Sequence, residues 1–207
     1  MITPNISKYE PTIKQAPNIG NKDATEYALF SADIPPMVNV AKEKSKTVLI
    51  YAGPGNFAIN LDFCKELNRT LREAEIPAYY IMQKTYPKAV ISMALNDGIE
   101  TLISICTSRN NSVPALNGQE LYSTSRKSYL LSTSISEALA SSNLIRTFPR
   151  LEKEPANSPS WTAAKHGLTL TRINLGYLSN YYDADLIINH GEELAKVISE
   201  GISGYEW

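Results

Sequence analysis

The residue types that most often bind metals or act as nucleophiles are rare in this 207-residue chain. They are Cys64, Cys106, His166 and His190. The two cysteines are far apart and do not form the close pairs typical of zinc sites. Cys106 could be a nucleophile with His166 as its base, and His166 could instead be a zinc ligand. A reactive cysteine needs an electropositive, partly exposed setting that the sequence does not show, so we interpret both cysteines as buried thiols and both histidines as solvated or helix-end residues.

A second candidate site is the turn that follows the apolar run 48–51. The stretch 46–56 reads KTVLIYAGPGN, which is typical of a buried strand that runs into a glycine turn, and α/β enzymes often place reactive groups at such turns. Pro54 stands between Gly53 and Gly55. No side chain in this turn can bind a metal ion, a proton or a phosphate through charge.

Strands and helices alternate after this turn. Apolar residues recur every three or four positions over 57–74, which predicts an amphipathic helix. The alternation predicts an α/β domain with a mostly parallel central sheet and helices on both faces. We expect strands at 48–51, 78–82, 101–105, 119–122 and 168–175, and helices at 57–74, 90–96, 129–139 and from about Asn189 onward, where Asn189 and Glu192 would form a capping box. The proline-rich stretch 149–161 is expected to be irregular.

The first 45 residues differ from the rest of the chain. They contain Pro4, Pro11, Pro17, Pro35 and Pro36 and show no long hydrophobic period, which predicts an extended arm, with room for one short helix, in front of a single domain at 46–207. Such an arm could lie across a neighbouring subunit or wrap around its own domain.

Composition narrows the classes of partner. Hydrophobic residues make up 43% and charged residues 20% of the chain, as in soluble globular proteins. The net charge of -1 and the lack of basic runs predict no binding to nucleic acid. No apolar stretch is long enough to span a membrane, and the N-terminus has no apolar core of signal-peptide length, so we expect synthesis in the cytoplasm without the usual export signal.

Four sequence blocks, in order, resemble the zinc-dependent N-acetylmuramoyl-L-alanine amidases, whose catalytic domain cleaves the bond between glycan and peptide stem in bacterial cell walls. VLIYAGPGN at 48–56 is similar to the family's "IDAGHGG", and the block 91–110 to its helix and strand ending in "ADLFISIHAN". NGQELY at 117–122, with Ser128 after it, is similar to "SGxExY", and INLGYLSN at 173–180, with Asp183 after it, to "VEVGFLSN". The resemblance covers roughly residues 46–205 and implies an amidase-like α/β fold.

The residues that carry the chemistry differ from the family pattern. In the family, two His and one Glu hold Zn²⁺ and leave one position open, where the metal lowers the pKa of a bound water to about 7 and a further Glu accepts its proton. The resemblance places Pro54 and Cys106 at the two His positions, Asn56 at the ligand Glu, and Asn174 at the catalytic Glu. Of these four, only Cys106 could bind zinc. Several scaffold residues keep the family type: Gly53, Gly55, Asn96, Gly176, Ser179 and Asn180.

The resemblance therefore predicts a pseudo-amidase without cofactor, metal site or catalytic residues. Its expected role is structural or protein-interacting, such as a tail or baseplate subunit of a bacteriophage virion, with protein partners in a homo- or hetero-oligomer. An alternative is a peptidoglycan-binding module that uses the old groove, where Asn56 and Asn174 could bind a sugar or peptide and Asn110 and Asn180 could line the groove. A third hypothesis is an active hydrolase that uses Cys106 or a rebuilt metal site.

Overall fold

The computed structural model describes residues 46–109, 118–155 and 157–207. The predicted arm at 1–45 and the possible groove residue Asn110 lie outside these ranges. The described chain forms six strands: β1 (Val48–Ala52), β2 (Ala78–Ile81), β3 (Thr101–Ser108), β4 (Glu120–Ser123), β5 (Arg150–Lys153) and β6 (Thr169–Tyr177). It also forms six helices: α1 (Phe57–Glu73), α2 (Pro87–Asp97), α3 (Arg126–Ser141), α4 (Pro159–Lys165), α5 (Tyr181–Asn189) and α6 (Gly191–Ser203). No helix in these ranges is long and apolar enough to cross a membrane.

The strands form one sheet in the order β2-β1-β3-β6-β4-β5. Strands β2, β1, β3 and β6 run parallel to one another, whereas β4 runs antiparallel to β6 and parallel to β5. The predicted mostly parallel α/β sheet is therefore confirmed. Because β1, β3 and β6 are parallel, their carboxyl ends meet at one edge of the sheet.

Helices cover both faces of the sheet, as predicted. On one face, Val48 and Ile50 of β1 belong to a core that includes α1, α3, α5 and α6. On the other face, Leu49 and Tyr51 pack with α2 and α4. Burial on both faces explains why β1 reads as an unbroken apolar run rather than an alternating one.

The prediction that 149–161 is irregular is wrong. This stretch contains β5 and the start of α4. Strand β5 lies at the edge of the sheet and its side chains are largely exposed, so its sequence, Arg-Leu-Glu-Lys, lacks the apolar pattern of a buried strand. Pro159 occupies the first turn of α4, where proline is well tolerated because that amide has no partner within the helix.

The last helix begins within two residues of the predicted start near Asn189, but the predicted capping box of Asn189 and Glu192 is wrong. Asn189 is the last residue of α5, a helix that the sequence pattern did not reveal, and its Nδ2 donates to Asp185 Oδ1 at 2.7 Å. Helix α6 begins at Gly191 after His190, which makes no side-chain capping hydrogen bond. The capping-box prediction failed because two short helices follow each other here with a single residue between them.

Candidate functional site

The glycine turn after β1 is held against the end of β3. Gly53 N donates to Ile105 O at 2.7 Å, and Thr107 N donates to Pro54 O at 3.2 Å. The amide of Asn56 then donates to Thr107 Oγ1 at 3.0 Å. These bonds extend the β1–β3 pairing into the turn and fix Pro54 and Asn56 beside the carboxyl end of β3.

Both glycines of the turn are required by close approach. A Cβ at Gly53 would lie 2.4 Å from Ser104 Oγ and 2.6 Å from Cys106 Sγ. Gly55 has φ +115°, and a Cβ there would lie 2.0 Å from Thr107 O. A larger residue at Gly55 would therefore need a backbone shift, whereas one at Gly53 would displace the side chains of Ser104 and Cys106.

The four positions that the resemblance singled out converge at this edge. Cys106 in β3 pairs in register with Asn174 in β6, and the turn with Pro54 and Asn56 contacts the same end of β3. The structure thus brings Pro54, Asn56, Cys106 and Asn174 to the carboxyl ends of three adjacent strands, where open α/β sheets usually bind ligands.

Asn56 has a local structural role. Its side chain caps α1 by accepting from Ile59 N at 3.3 Å. The buried Asn60, one turn later, donates from Nδ2 to the carbonyls of Gly53 and Pro54 at 3.2 and 3.0 Å. Of the two interpretations left open for Asn56, the structure favours satisfaction of local backbone groups. The sequence analysis missed Asn60, a polar residue on the buried face of an amphipathic helix.

Cys106 is a buried thiol. Its residue is 5% exposed, its Sγ lies 3.6 Å from Ser104 Oγ, and burial raises its pKa to about 11. Cys64 is also buried and free. Both match the prediction of packed, unpaired cysteines and not that of an activated nucleophile.

The hypothesis that His166 serves as the base for Cys106 is wrong. His166 ends α4 and precedes β6, whose first residue, Thr169, pairs with Thr101 at the start of β3. Cys106 lies five residues further along β3, which corresponds to roughly 16 Å at the strand rise of ~3.3 Å per residue. His166 is therefore at the opposite end of the sheet, and it is exposed, as is His190 between α5 and α6.

We expect Cys106 and Cys64 to resist thiol reagents in the native protein. With a pKa of about 11, the Cys106 thiol is ionised in about one molecule in a thousand at pH 8, and access is limited by burial. Labelling with a chromogenic disulfide at pH 8 should be slow natively and should reach two thiols per chain in denaturant. Rapid native labelling that Cys106→Ser abolishes would contradict this prediction.

Asn174 is part of a hydrogen-bond network around a buried carboxylate. Its Nδ2 donates to Glu120 Oε2 at 2.8 Å and to Ser108 Oγ at 3.0 Å. Tyr122 Oη donates to the same Glu120 oxygen at 2.8 Å, and Tyr177 Oη donates to Oε1 at 2.8 Å. The antiparallel register sets Glu120 directly opposite Asn174. Asn174 therefore does not simply satisfy local backbone groups, because its amide is used in holding Glu120.

Glu120 was not singled out by the sequence analysis. Arg150 completes its shell as an ion-pair partner, so four side chains donate to a residue that is 7% exposed. Burial alone would raise the pKa of Glu120, but the bonds from Asn174 and the two tyrosines, with the charge of Arg150, lower it overall. A carboxylate with a low pKa and saturated lone pairs is a poor general base. The available signal was its match to the Glu of the family motif SGxExY in the block at 117–122.

A second buried ion pair lies on the same face of the sheet. Arg172 Nε is 3.0 Å from Glu154 Oε1, and Ser160 Oγ donates to the same oxygen at 3.3 Å. The Arg172 guanidinium also stacks on the ring of Tyr122, 3.9 Å from its centroid. Both buried acids on this face, Glu120 and Glu154, are thus paired with arginine.

Asn180 and Asn110, the two residues predicted to line the groove, have different outcomes. Asn180 caps α5, because its Oδ1 accepts from Tyr182 N at 3.0 Å and from Asp183 N at 3.4 Å. Asn110 lies outside the described residues, so its assignment to the groove stays a prediction.

The donor set at this edge does not fit zinc. A zinc site needs three or four nitrogen, sulfur or carboxylate ligands, but proline has no donor atom, the carboxamide of Asn56 caps a helix, and the Cys106 thiol is protonated. Both histidines of the chain lie elsewhere. Across residues 46–109, 118–155 and 157–207, no group of three or more His, Cys, Asp or Glu side chains could hold a metal ion.

Comparison with solved structures identifies the fold. No protein-family model and no curated protein matches the sequence. The catalytic domain of CwlV, an N-acetylmuramoyl-L-alanine amidase from Bacillus (Paenibacillus) polymyxa var. colistinus, matches with a TM-score of 0.65 and 18% identity over 77% of this chain and 97% of that chain. The N-acetylmuramoyl-L-alanine amidase of Clostridium difficile 630 matches with a TM-score of 0.62 and 19% identity over 78% and 94% of the two chains.

A third similar structure comes from an endolysin. The catalytic domain of the CD27L endolysin targeting Clostridia difficile has a TM-score of 0.63 and 17% identity over 75% of this chain and 96% of that chain. The described chain therefore has the fold of N-acetylmuramoyl-L-alanine amidase catalytic domains, in agreement with the fold that the resemblance implied.

Proposed function

We propose that this chain is an amidase-fold protein that does not hydrolyse peptidoglycan and acts through protein interactions. The observation that carries the proposal is the state of Asn174, whose carboxamide donates to Glu120 and Ser108. Hydrolysis of an amide by this fold needs an activated water and a group that takes its proton. A carboxamide in this position cannot take that proton at neutral pH.

The other groups at the edge support the same proposal. Activation of a water would need a metal ion or a base. Pro54 has no ligand atom, the Cys106 thiol is protonated, and the oxygens of Glu120 already accept hydrogen bonds. Gly53 and Gly55, which shape the turn, are of the family's type, whereas the residues at the ligand positions are not. This difference favours a role that depends on the fold rather than on hydrolysis.

The interaction role is supported by the surface. Large apolar side chains are exposed at several places, among them Tyr86 at 61%, Phe148 at 69% and Tyr181 at 78%, and exposed aromatics are enriched at protein interfaces. Residues 1–45 are rich in proline, and a segment of this composition could extend onto a neighbouring subunit. We propose a subunit of a larger assembly, with a bacteriophage tail or baseplate as the leading context, consistent with a fold that also serves an endolysin.

The proposal is tested by a cell-wall assay. Purified protein is incubated with peptidoglycan in the presence of Zn²⁺, and released stem peptides are measured by mass spectrometry beside an active amidase of this fold. We expect release no greater than in a protein-free blank. Release above the blank that a chelator abolishes would overturn the proposal.

The assembly role is tested by light scattering of the same sample, which measures the mass of the particles in solution. A strictly monomeric protein would contradict this role.

A second candidate function is peptidoglycan binding at the same edge. It is favoured by the partly exposed side chains of Tyr177 and Arg150 beside Asn174, since a phenol and a guanidinium can bind sugars and carboxylates. Retention on insoluble peptidoglycan at low salt, lost in a Tyr177→Phe/Arg150→Gln double variant that circular dichroism shows to be folded, would establish it. Absence of retention would remove it.

A further inference from the structure

A separate pocket lies on the opposite face of the sheet from Asn174, beside the start of α5. It has a volume of about 320 Å³, near the lower end of the range for small-molecule sites. Its walls come from the beginning of β4, the loop 143–147 and helix α5. We refer to it as the α5 pocket. Its apolar wall is formed by Leu144, Ile145 and Leu186.

A buried acceptor without a donor lines the α5 pocket. Gln119 is 2% exposed, and its Nε2 donates to Leu175 O at 3.1 Å. That bond fixes which end of the amide is the oxygen. Gln119 Oε1 accepts no hydrogen bond from any described residue. Buried acceptors in folded proteins nearly always have a donor, so this oxygen, in a residue of the pocket wall, can accept a further hydrogen bond.

Two carboxylates add to the acceptor character of the pocket. Asp183 Oδ2 accepts from the amides of Gly118 and Tyr177 at 2.9 and 2.8 Å, but its carboxylate forms no ion pair within the described residues. Burial raises the pKa of Asp183, and these amide bonds offset only part of that effect. Asp185, two residues later and partly exposed, accepts from Asn189. These two carboxylates give this part of the lining a negative charge, and neither forms an ion pair within the described residues.

The pocket also contains one guanidinium. The Cζ of Arg146 lies 3.7 Å from the centroid of the Tyr182 ring, and both residues line the pocket. This cation–π contact holds the guanidinium in place. Arg146 forms no ion pair with the carboxylates of the described residues, so it is available to bind an anionic group.

We propose that the α5 pocket binds a small zwitterion, namely an amino acid or a dipeptide with a free ammonium group and a carboxylate. The ammonium donates to Gln119 Oε1 and to an aspartate of the lining. The carboxylate binds Arg146, and a small apolar side chain contacts Leu144 and Leu186. This proposal does not rest on the loss of hydrolytic activity, because no residue of the α5 pocket belongs to the group at Pro54, Asn56, Cys106 and Asn174.

Calorimetric titration of the full chain with L-alanyl-L-alanine tests the proposal. We expect saturable binding of one dipeptide per chain. N-acetyl-alanyl-alanine, which lacks the ammonium, and alanyl-alanine amide, which lacks the carboxylate, should each bind about tenfold more weakly, as expected for loss of a hydrogen bond to a charged group. No saturable binding of the dipeptide, as when water alone fills the pocket, would overturn the proposal. Equal binding of the acetylated dipeptide would do the same.

Two variants assign the binding to this pocket. Asp185→Asn should weaken binding of the dipeptide about tenfold, and Arg146→Gln should remove the preference for the dipeptide over its amide. Glu137→Gln, which changes the charge as Asp185→Asn does but at an exposed position of α3 outside the pocket, should bind like the parent. Circular dichroism confirms folding of each variant. Unchanged binding in both folded pocket variants would place the ligand elsewhere and overturn the assignment.

Discussion

Replacing Glu120 with alanine is expected to lower the free energy of unfolding by about 3 kcal/mol, as for buried charges whose partners are left behind. The substitution leaves donors on Asn174, Tyr122 and Tyr177 without their acceptor and removes the ion-pair partner of Arg150. Urea denaturation followed by circular dichroism measures the loss. The control variant is Glu152→Ala. Glu152 is exposed on β5, where it pairs in register with Tyr122 of β4, and its replacement should change the free energy of unfolding by less than about 0.5 kcal/mol.

The effect of Glu120→Ala should depend on pH. The pKa of Glu120 is lowered in the folded state, so its carboxylate contributes stability above the unfolded pKa of about 4.3, and this contribution is lost as pH falls through the folded value. The difference between parent and variant should therefore be full at pH 7 and shrink in acid. A variant as stable as the parent at pH 7, or a difference that grows in acid, would contradict this account of the network.

Replacing Gly55 with alanine is the second change with a large expected effect. Gly55 has φ +115°, which a side chain makes strained, and the added Cβ would lie 2.0 Å from the backbone oxygen of Thr107. We expect a loss of about 3 kcal/mol from strain and displacement of the turn. Thermal and urea unfolding measure it. Gly191→Ala is the matched control, because a Cβ at Gly191 meets no atom within 4 Å, and it should be neutral or slightly stabilising.

A Gly55→Ala variant that unfolds like the parent would mean that the turn is not held against β3. That outcome would also remove the argument that Pro54 and Asn56 lie at the carboxyl end of β3, because the same hydrogen bonds fix both.

The parts of the fold that the sequence predicted are those with strong local patterns. The apolar run at β1 and the 3.6-residue period of α1 are properties of neighbouring residues, and the structure places both close to the expected bounds. Strand β5 and helix α5 were missed for a physical reason. Strand β5 is short and largely exposed, so burial imposes no pattern on it, and α5 spans nine residues with only three buried.

The site was predicted only in part. The resemblance identified Pro54, Asn56, Cys106 and Asn174, and the sheet register brings them together. The network around Glu120 depends on the antiparallel pairing of β4 with β6 and on Arg150 from the edge strand, which are contacts distant in sequence. The match of NGQELY to the motif SGxExY marked Glu120, but a single sequence carries no signal for such pairings, so the partners of its carboxylate could not be predicted.

The central proposal is that this chain has the amidase fold but lacks the metal ligands of that family. Its most direct test is titration with Zn²⁺ of the native chain and of a Pro54→His/Asn56→Glu/Cys106→His variant. Calorimetry under identical conditions measures the stoichiometry, and circular dichroism confirms that both proteins are folded. The account predicts no stoichiometric binding by the native chain and one Zn²⁺ per chain for the variant, because three suitable ligands would then surround one point at the ends of β1 and β3. One equivalent of Zn²⁺ bound by the native chain, or none bound by the folded variant, would contradict it.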